Sequence, residues 1–129
     1  MSWYKIVLRK LDSAGIFSEV RMIGAKIRAT IDQTTFLDIH YDPTTTSYSY
    51  ALIDLQLPYC GDKRVFGWDD YPHEGVEALE TLQSYPHHFQ KRLDADWAFE
   101  ESEMRGDIRT EIESVIAEVQ SYLAARDQE

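Results

Sequence analysis

The feature that most constrains the fold is a C-terminal segment whose large apolar residues fall on one side of a helix. Between Asp107 and Ala125 these residues recur every three or four positions, and they are Ile108, Ile112, Val115, Ile116, Val119, Tyr122 and Leu123. This spacing predicts an amphipathic α-helix capped by Asp107, whose other face is acidic. A one-sided apolar helix needs a second element to cover it, so the rest of the chain has to supply a matching apolar surface.

Segments typical of β-strands precede this helix and supply that surface. The strand-like runs are residues 19–30, 36–42, 47–54 and 64–68. Asp42-Pro43 between the second and third runs is typical of a turn and predicts a hairpin. Ser2–Ser13 has the spacing of a first helix, and Glu74–Gln83 that of a short one. We therefore expect residues 1–129 to form a single α+β domain: an antiparallel meander sheet of about four strands, with an N-terminal and a C-terminal helix packed on it.

Composition narrows the functional classes. The chain has 129 residues, 43% of them hydrophobic, a net charge of −10 and one cysteine, Cys60, so we expect a folded protein without an internal disulfide. No signal peptide or membrane-length apolar run is evident, which predicts a cytoplasmic protein with no membrane contact. Residues 94–129 hold eleven acidic and three basic side chains. That part is unsuited to binding phosphates, so it is either a solvated face or a docking surface for a basic partner.

Three of the four histidines lie in two short proline-bearing motifs. Tyr71-Pro72-His73 and Tyr85-Pro86-His87 repeat the same three residues, and His88 follows the second. Histidine titrates near neutral pH, so such a cluster is a candidate for acid–base or metal chemistry. Proline before each histidine restricts the backbone and favours a rigid loop. The same rings could instead serve packing, with the histidines bonded to nearby polar groups.

These motifs resemble those of a known family. An aromatic hairpin strand at Tyr48-Ser49-Tyr50, then Phe66–His73, then Tyr85–Phe89 resembles the TumE family of toxins from prokaryotic type II toxin–antitoxin pairs. The resemblance implies a toxin that is paired with a small, DNA-binding antitoxin and directed at RNA or the translation apparatus. In such toxins the first motif often continues Pro-His-His-Pro, whereas Glu74 follows His73 here, and Gln90 stands where the second often has a further histidine.

Acid–base cleavage of RNA is the first chemistry that these residues suggest. A metal-independent ribonuclease needs a base for the 2′-hydroxyl, an acid for the leaving oxygen and a cation for the phosphate. The catalytic candidates are His73, His87 and His88. The substrate-binding candidates are basic residues for phosphate and aromatic rings for base stacking, namely Arg64, Lys91, Arg92, Tyr48, Tyr50 and Trp68. For the tyrosines, cross-strand packing is the competing interpretation.

Two further interpretations stay open. No cofactor is expected for the acid–base enzyme, but Asp69, His73 and either His87 or His88 would give a metal three ligands and leave one position free. The protein could also be a non-enzymatic interaction protein. In that case the aromatic loop or the acidic C-terminal helix would bind a partner, or the apolar stripe would continue into a homodimer.

Overall fold

The protein is a seven-stranded antiparallel sheet with its first and last helices packed on one face. The structure, a computed structural model, describes residues 2–128. In chain order the elements are α1 (Trp3–Ser13), β1 (Glu19–Ile23), β2 (Lys26–Thr30), β3 (Thr35–Tyr41), β4 (Tyr48–Asp54), β5 (Arg64–Asp69), α2 (Glu77–Glu80), β6 (His88–Leu93), β7 (Asp96–Glu100) and α3 (Ile108–Asp127). The strands pair in sequence order, so the predicted meander and α+β class are right.

The predicted number of strands is wrong, because two hairpins were not recognised. Residues 19–30 form two strands, joined by a two-residue turn in which Gly24 has a φ of +61°. β6 and β7 are joined by another short turn, in which Asp94 has a φ of +56°. The turn residues are Gly24-Ala25 and Asp94-Ala95, and neither pair is the Asn-Gly or Asp-Gly that marks a two-residue hairpin. The polar side chains of β6 also interrupt its apolar pattern. The sheet therefore has seven strands rather than about four.

The core lies between the helices and one face of the sheet. The apolar side of α3, which we call the α3 stripe, is buried as predicted, and its residues Ile112, Val115 and Val119 are fully inaccessible. α1 adds Val7 and Leu11 to the same core. The helix begins at Ile108, but the Asp107 side chain does not cap it and accepts a hydrogen bond from the Thr110 hydroxyl instead. Because the stripe is inside the protein, it is not the dimer surface that the sequence suggested.

The opposite face of the sheet carries polar side chains, since successive residues of a strand point to opposite sides. Asp38 on β3 accepts two hydrogen bonds from Arg28 and one from Lys26. The Arg28 guanidinium also lies 4.0 Å from the centre of the Phe36 ring. Asp69 and His88 lie on this polar face too, paired across β5 and β6. We call it the open face, because α1 and α3 lie on the other side.

Gly106 fixes the link between β7 and α3 against the β3–β4 turn. Its φ is +90°, and a methyl group added there would overlap the carbonyl oxygen of Thr46. Gly61 has a similar φ of +84° with no atom within 4 Å of the added group. We expect Gly61→Ala to cost about 1 kcal/mol of unfolding free energy, and Gly106→Ala about 2–4 kcal/mol because overlap adds to strain. Equal losses in denaturant unfolding would contradict the close packing at Gly106.

Asp38 should make stability depend on acid pH. Burial disfavours its ionisation, but the bonds from Arg28 and Lys26 outweigh burial and leave its pKa below the ordinary value. As pH falls, Asp38 therefore takes up a proton in the unfolded chain before it does so in the folded chain. The stabilisation by its carboxylate is present above about pH 4 and is lost as pH falls through the folded-state pKa. We expect Asp38→Asn to cost about 1–2 kcal/mol at pH 7 and less at pH 3, measured by urea unfolding at both pH values. An equal cost at both pH values would show that ionisation of Asp38 is not the source of the stabilisation.

Candidate functional site

The candidate site lies at one end of the sheet, where β3 and β5 end and β4 and β6 begin. A surface depression of about 520 Å³ opens there. Its lining includes His40, Tyr48, Asp69, Asp70 and His73. Among the described residues that line it, three are aspartates and none is lysine or arginine. The depression is therefore acidic, and it brings part of the first motif next to the start of β4.

Asp69, His73 and His88 form a compact cluster beside this depression. One carboxylate oxygen of Asp69 and one ring nitrogen of each histidine lie within 4.8 Å of one another. Asp69 ends β5 and is the direct cross-strand partner of His88, the first residue of β6. His73 approaches from the loop after β5, and its ring centre is 5.4 Å from that of His88. Two ligands therefore come from paired strands and the third from a loop.

His88 is completely buried and has polar partners at both ring nitrogens. Its side chain has an exposure of 0%. Nδ1 lies 3.0 Å from the carbonyl oxygen of Pro86, in a segment where the Tyr85–Pro86 peptide bond is cis. Nε2 lies 3.0 Å from Oε1 of Gln90 and 3.3 Å from Oδ1 of Asp69. A substrate in solution therefore has no direct access to His88.

His73 is partly exposed and lines the depression. Burial lowers the pKa of His73 below its ordinary value, and the charge of Asp69 acts in the opposite direction. Its Nε2 atom is buried without a hydrogen-bond partner among residues 2–128. The Tyr71 ring, which is 65% exposed, lies edge-on to the imidazole at 4.8 Å between centres. His73 is thus the histidine of the cluster that a ligand in the depression can meet.

His87 points away from this cluster and packs at the helix side of the sheet. Its Nδ1 lies 2.8 Å from the hydroxyl of Tyr48, which also donates a 3.1 Å hydrogen bond to the carbonyl of Met104. The two rings stack with centres 5.8 Å apart. Burial, followed by the nearby charge of Arg105, lowers the pKa of His87. The structure therefore does not gather the three predicted catalytic histidines around one point, because adjacent residues of a strand diverge.

The aromatic candidates for base stacking lie mostly in the core. Tyr48 and Tyr50 stack on each other at 5.0 Å between ring centres, and both are nearly inaccessible. Tyr50 donates a 3.0 Å hydrogen bond to Glu111 on α3, and burial, reinforced by the charge of Glu111, raises its pKa. Trp68 packs against Phe89 and is 9% exposed. Of these three residues, only Tyr48 is among those that line the depression.

The basic candidates for phosphate binding lie further along β5 and β6 than Asp69 and His88; Lys91 is the fourth residue of β6 and Arg92 is the fifth. Arg64 begins β5, five residues before Asp69, which at about 3.3 Å per residue is about 17 Å away. Arg64 pairs with Asp62, and Lys91 pairs with Glu100. The Arg92 guanidinium lies 3.9 Å from the centre of the Trp97 ring. The charge of Arg64 still contributes to lowering the pKa of His73, but its guanidinium donates hydrogen bonds to Asp62.

Several residues that shape the site carry no strong sequence signal. Asp70 accepts a 2.9 Å hydrogen bond from Ser47 at the start of β4 and so fixes the rim of the depression. Glu101 accepts hydrogen bonds from the backbone of Gln83 and Ser84, which positions the chain before the second motif. Gln90 is two residues from His88, and strand periodicity would have placed both on one face had β6 been recognised. The Pro86 carbonyl has no sequence signal at all.

Removing the Tyr48 hydroxyl should destabilise the protein. The change Tyr48→Phe leaves Nδ1 of His87 without its partner and removes one of two donors to the carbonyl of Met104, which keeps a hydrogen bond from Arg105. We therefore expect a loss of about 1 kcal/mol of unfolding free energy. Tyr4→Phe, at a residue that is 37% exposed, is the matched control and should change little. Denaturant unfolding measures both, and an unchanged midpoint for Tyr48→Phe would show that this hydrogen bonding contributes nothing net.

Comparison with known proteins identifies the family. The sequence profile described as "Toxin TumE" matches residues 8–123, nearly the whole chain. No curated protein and no protein of solved structure matches the chain. Within residues 2–128 no helix is both long and apolar enough to cross a membrane. The profile includes both histidine motifs and the aromatic strand β4, so the predicted resemblance is confirmed, and the protein belongs to the TumE toxin family.

Proposed function

We propose that the protein is the toxin of a toxin–antitoxin pair and that it cleaves RNA at the depression beside Asp69 and His73. Membership of a toxin family across residues 8–123 supports the first part. The observation that carries the second is that Asp69 and His73, two groups able to exchange protons or hold a cation, both line an accessible depression. We expect the protein to act in the cytoplasm, where RNA is available.

The proposed site does not use all three histidines, His73, His87 and His88, that the sequence suggested as catalytic residues. His88 is inaccessible and His87 bonds Tyr48 on the helix side, so His73 is the histidine that can approach a bound phosphodiester. Asp69 supports it from the end of β5. Tyr71 stands 65% exposed beside His73, and its ring offers a surface on which an unpaired base could stack. His88 then serves as a positioning residue behind the reactive pair.

The partner would be the antitoxin, which we expect to be a small DNA-binding protein. The sequence suggested α3 as its docking surface, but the acids of this helix are partly engaged. Glu111 accepts hydrogen bonds from Tyr50 and from the backbone nitrogen of Arg105, and Glu113 lies 3.4 Å from Lys10. The exposed loop around Tyr71 is the better supported surface, and an antitoxin bound there would cover the depression.

Expression without an antitoxin tests this proposal. We expect the wild-type chain to arrest growth and fragment cellular RNA, and His73→Ala to abolish both, because the accessible reactive group is lost. His87→Ala removes the other partly exposed motif histidine and should retain activity if the reaction is centred on Asp69 and His73. Growth curves and electrophoresis of total RNA are the measurements, and circular dichroism establishes that each variant is folded.

The outcomes separate the alternatives. Arrest with intact RNA would contradict the ribonuclease and leave a toxin with another target. Absence of arrest in all proteins would contradict the toxin assignment under these conditions and favour the interaction protein. Loss of activity in Lys91→Ala with retention in His73→Ala would instead move the reaction away from Asp69 and His73.

A further inference from the structure

We propose that Asp69, His73 and His88 form a binding site for a divalent transition-metal ion of the zinc type. The three side chains offer two imidazole nitrogens and one carboxylate oxygen within 4.8 Å of one another. This donor set occurs at catalytic zinc sites, where three protein ligands leave one position free. Imidazole ligands favour such ions over magnesium and calcium, which prefer oxygen.

The distance between two of the ligand atoms already fits a bound ion. Nε2 of His88 lies 3.3 Å from Oδ1 of Asp69. Zinc–ligand bonds of about 2.0–2.1 Å at tetrahedral angles separate neighbouring ligand atoms by about 3.3 Å. Asp69 and His88 are cross-strand partners, so the sheet itself holds this spacing. Closure around an ion requires movement mainly of His73, which lies on a loop.

The hydrogen bond at the far side of His88 prepares Nε2 to bind a cation. The Pro86 carbonyl only accepts hydrogen bonds, so Nδ1 at 3.0 Å carries the proton. Nε2 then faces the carboxylate oxygen of Asp69 and the amide oxygen of Gln90, which both present lone pairs. The lone pairs of these oxygens and of Nε2 repel one another, and a proton or a metal ion between them would remove that repulsion. A backbone carbonyl that orients the second nitrogen is typical of histidines that bind metals.

The other two ligands have features that fit the same ion. Nε2 of His73 is one of two buried side-chain nitrogen or oxygen atoms without a hydrogen-bond partner in residues 2–128. Leaving such an atom unpaired is unfavourable, and a metal ion would satisfy it. Oδ1 of Asp69 accepts a 2.9 Å hydrogen bond from the backbone nitrogen of Tyr71, which orients the carboxylate. Hydrogen bonds therefore orient Asp69 and His88, and His73 has a ring nitrogen without a hydrogen-bond partner.

The position of the cluster explains how an acidic depression could act on RNA, an inference that rests on the proposed function. Asp69 and His73 line the depression, so the free position of the ion would face it. The lining holds Asp42, Asp69 and Asp70 and lacks basic residues among those described, which disfavours a phosphate. A bound divalent cation would offset this charge, contact a phosphate oxygen and lower the pKa of a bound water.

Metal binding by the untagged chain of residues 1–129 tests the site without reference to activity. After chelator treatment and dialysis, Zn²⁺ is titrated calorimetrically and Co²⁺ by its visible absorption, which reports ligand geometry. We expect one ion per chain, with affinity reduced at least about tenfold by His73→Ala and by Asp69→Asn. Zn²⁺ should raise the melting temperature of the wild type but not of His73→Ala, and Mg²⁺ should raise neither. Both substitutions spare the buried His88, so the variants are expected to fold.

His40→Ala is the matched control, because His40 is an exposed histidine that lines the same depression outside the cluster. It should bind Zn²⁺ like the wild type. Absence of stoichiometric binding, or equal loss in His40→Ala and His73→Ala, would overturn the site. Stoichiometric binding that depends on Asp69 and His73 in a protein that leaves RNA intact would support the site while contradicting RNA cleavage. RNA cleavage that a chelator does not affect, in a chain that binds no metal, would support RNA cleavage and contradict the metal site.

Discussion

Burial of α3 against the central strands determines how the rest of the molecule is arranged. The stripe from Ile108 to Val119 requires an apolar counterpart, and strands β3, β4 and β5 provide it with Ile39, Tyr50, Leu52 and Phe66. Because side chains alternate along a strand, directing these residues to the helices directs Asp38, Asp69 and His88 to the open face. The polar cluster on that face is therefore a consequence of how the core is built.

The same alternation explains why neighbouring histidines have different surroundings. His87 precedes β6 and bonds Tyr48 towards the helices, whereas His88 lies on the open face beside Asp69. Strand pairing sets the relation between Asp69 and His88 firmly, and the loop that carries His73 is held by a turn between Tyr71 and His73. His73 is therefore the one member of the cluster whose position does not depend on strand pairing.

The sequence predicts the strongly periodic and motif-bearing parts of this protein best. The α3 stripe, the first helix and the β3–β4 hairpin follow from spacing and from Asp42-Pro43, and the family follows from the two histidine motifs. The β1–β2 and β6–β7 hairpins could not be predicted, because their two-residue turns leave no long polar break. Predicting that His87 and His88 point to different sides requires recognising β6 as a strand. Predicting where Arg64 and Arg92 lie relative to the cluster requires the strand register.

Hydrogen bonds to two carboxylates give part of the acidic C-terminal segment a structural role. Glu111 receives hydrogen bonds from Tyr50 and from the backbone at Arg105 and Gly106, and Glu101 receives them from the backbone before the second histidine motif. Their negative charge is directed at backbone dipoles and a phenol. Residues 94–129 therefore supply more than negative charge: Glu111 holds the chain before α3, and the exposed Glu101 holds the chain before the second histidine motif.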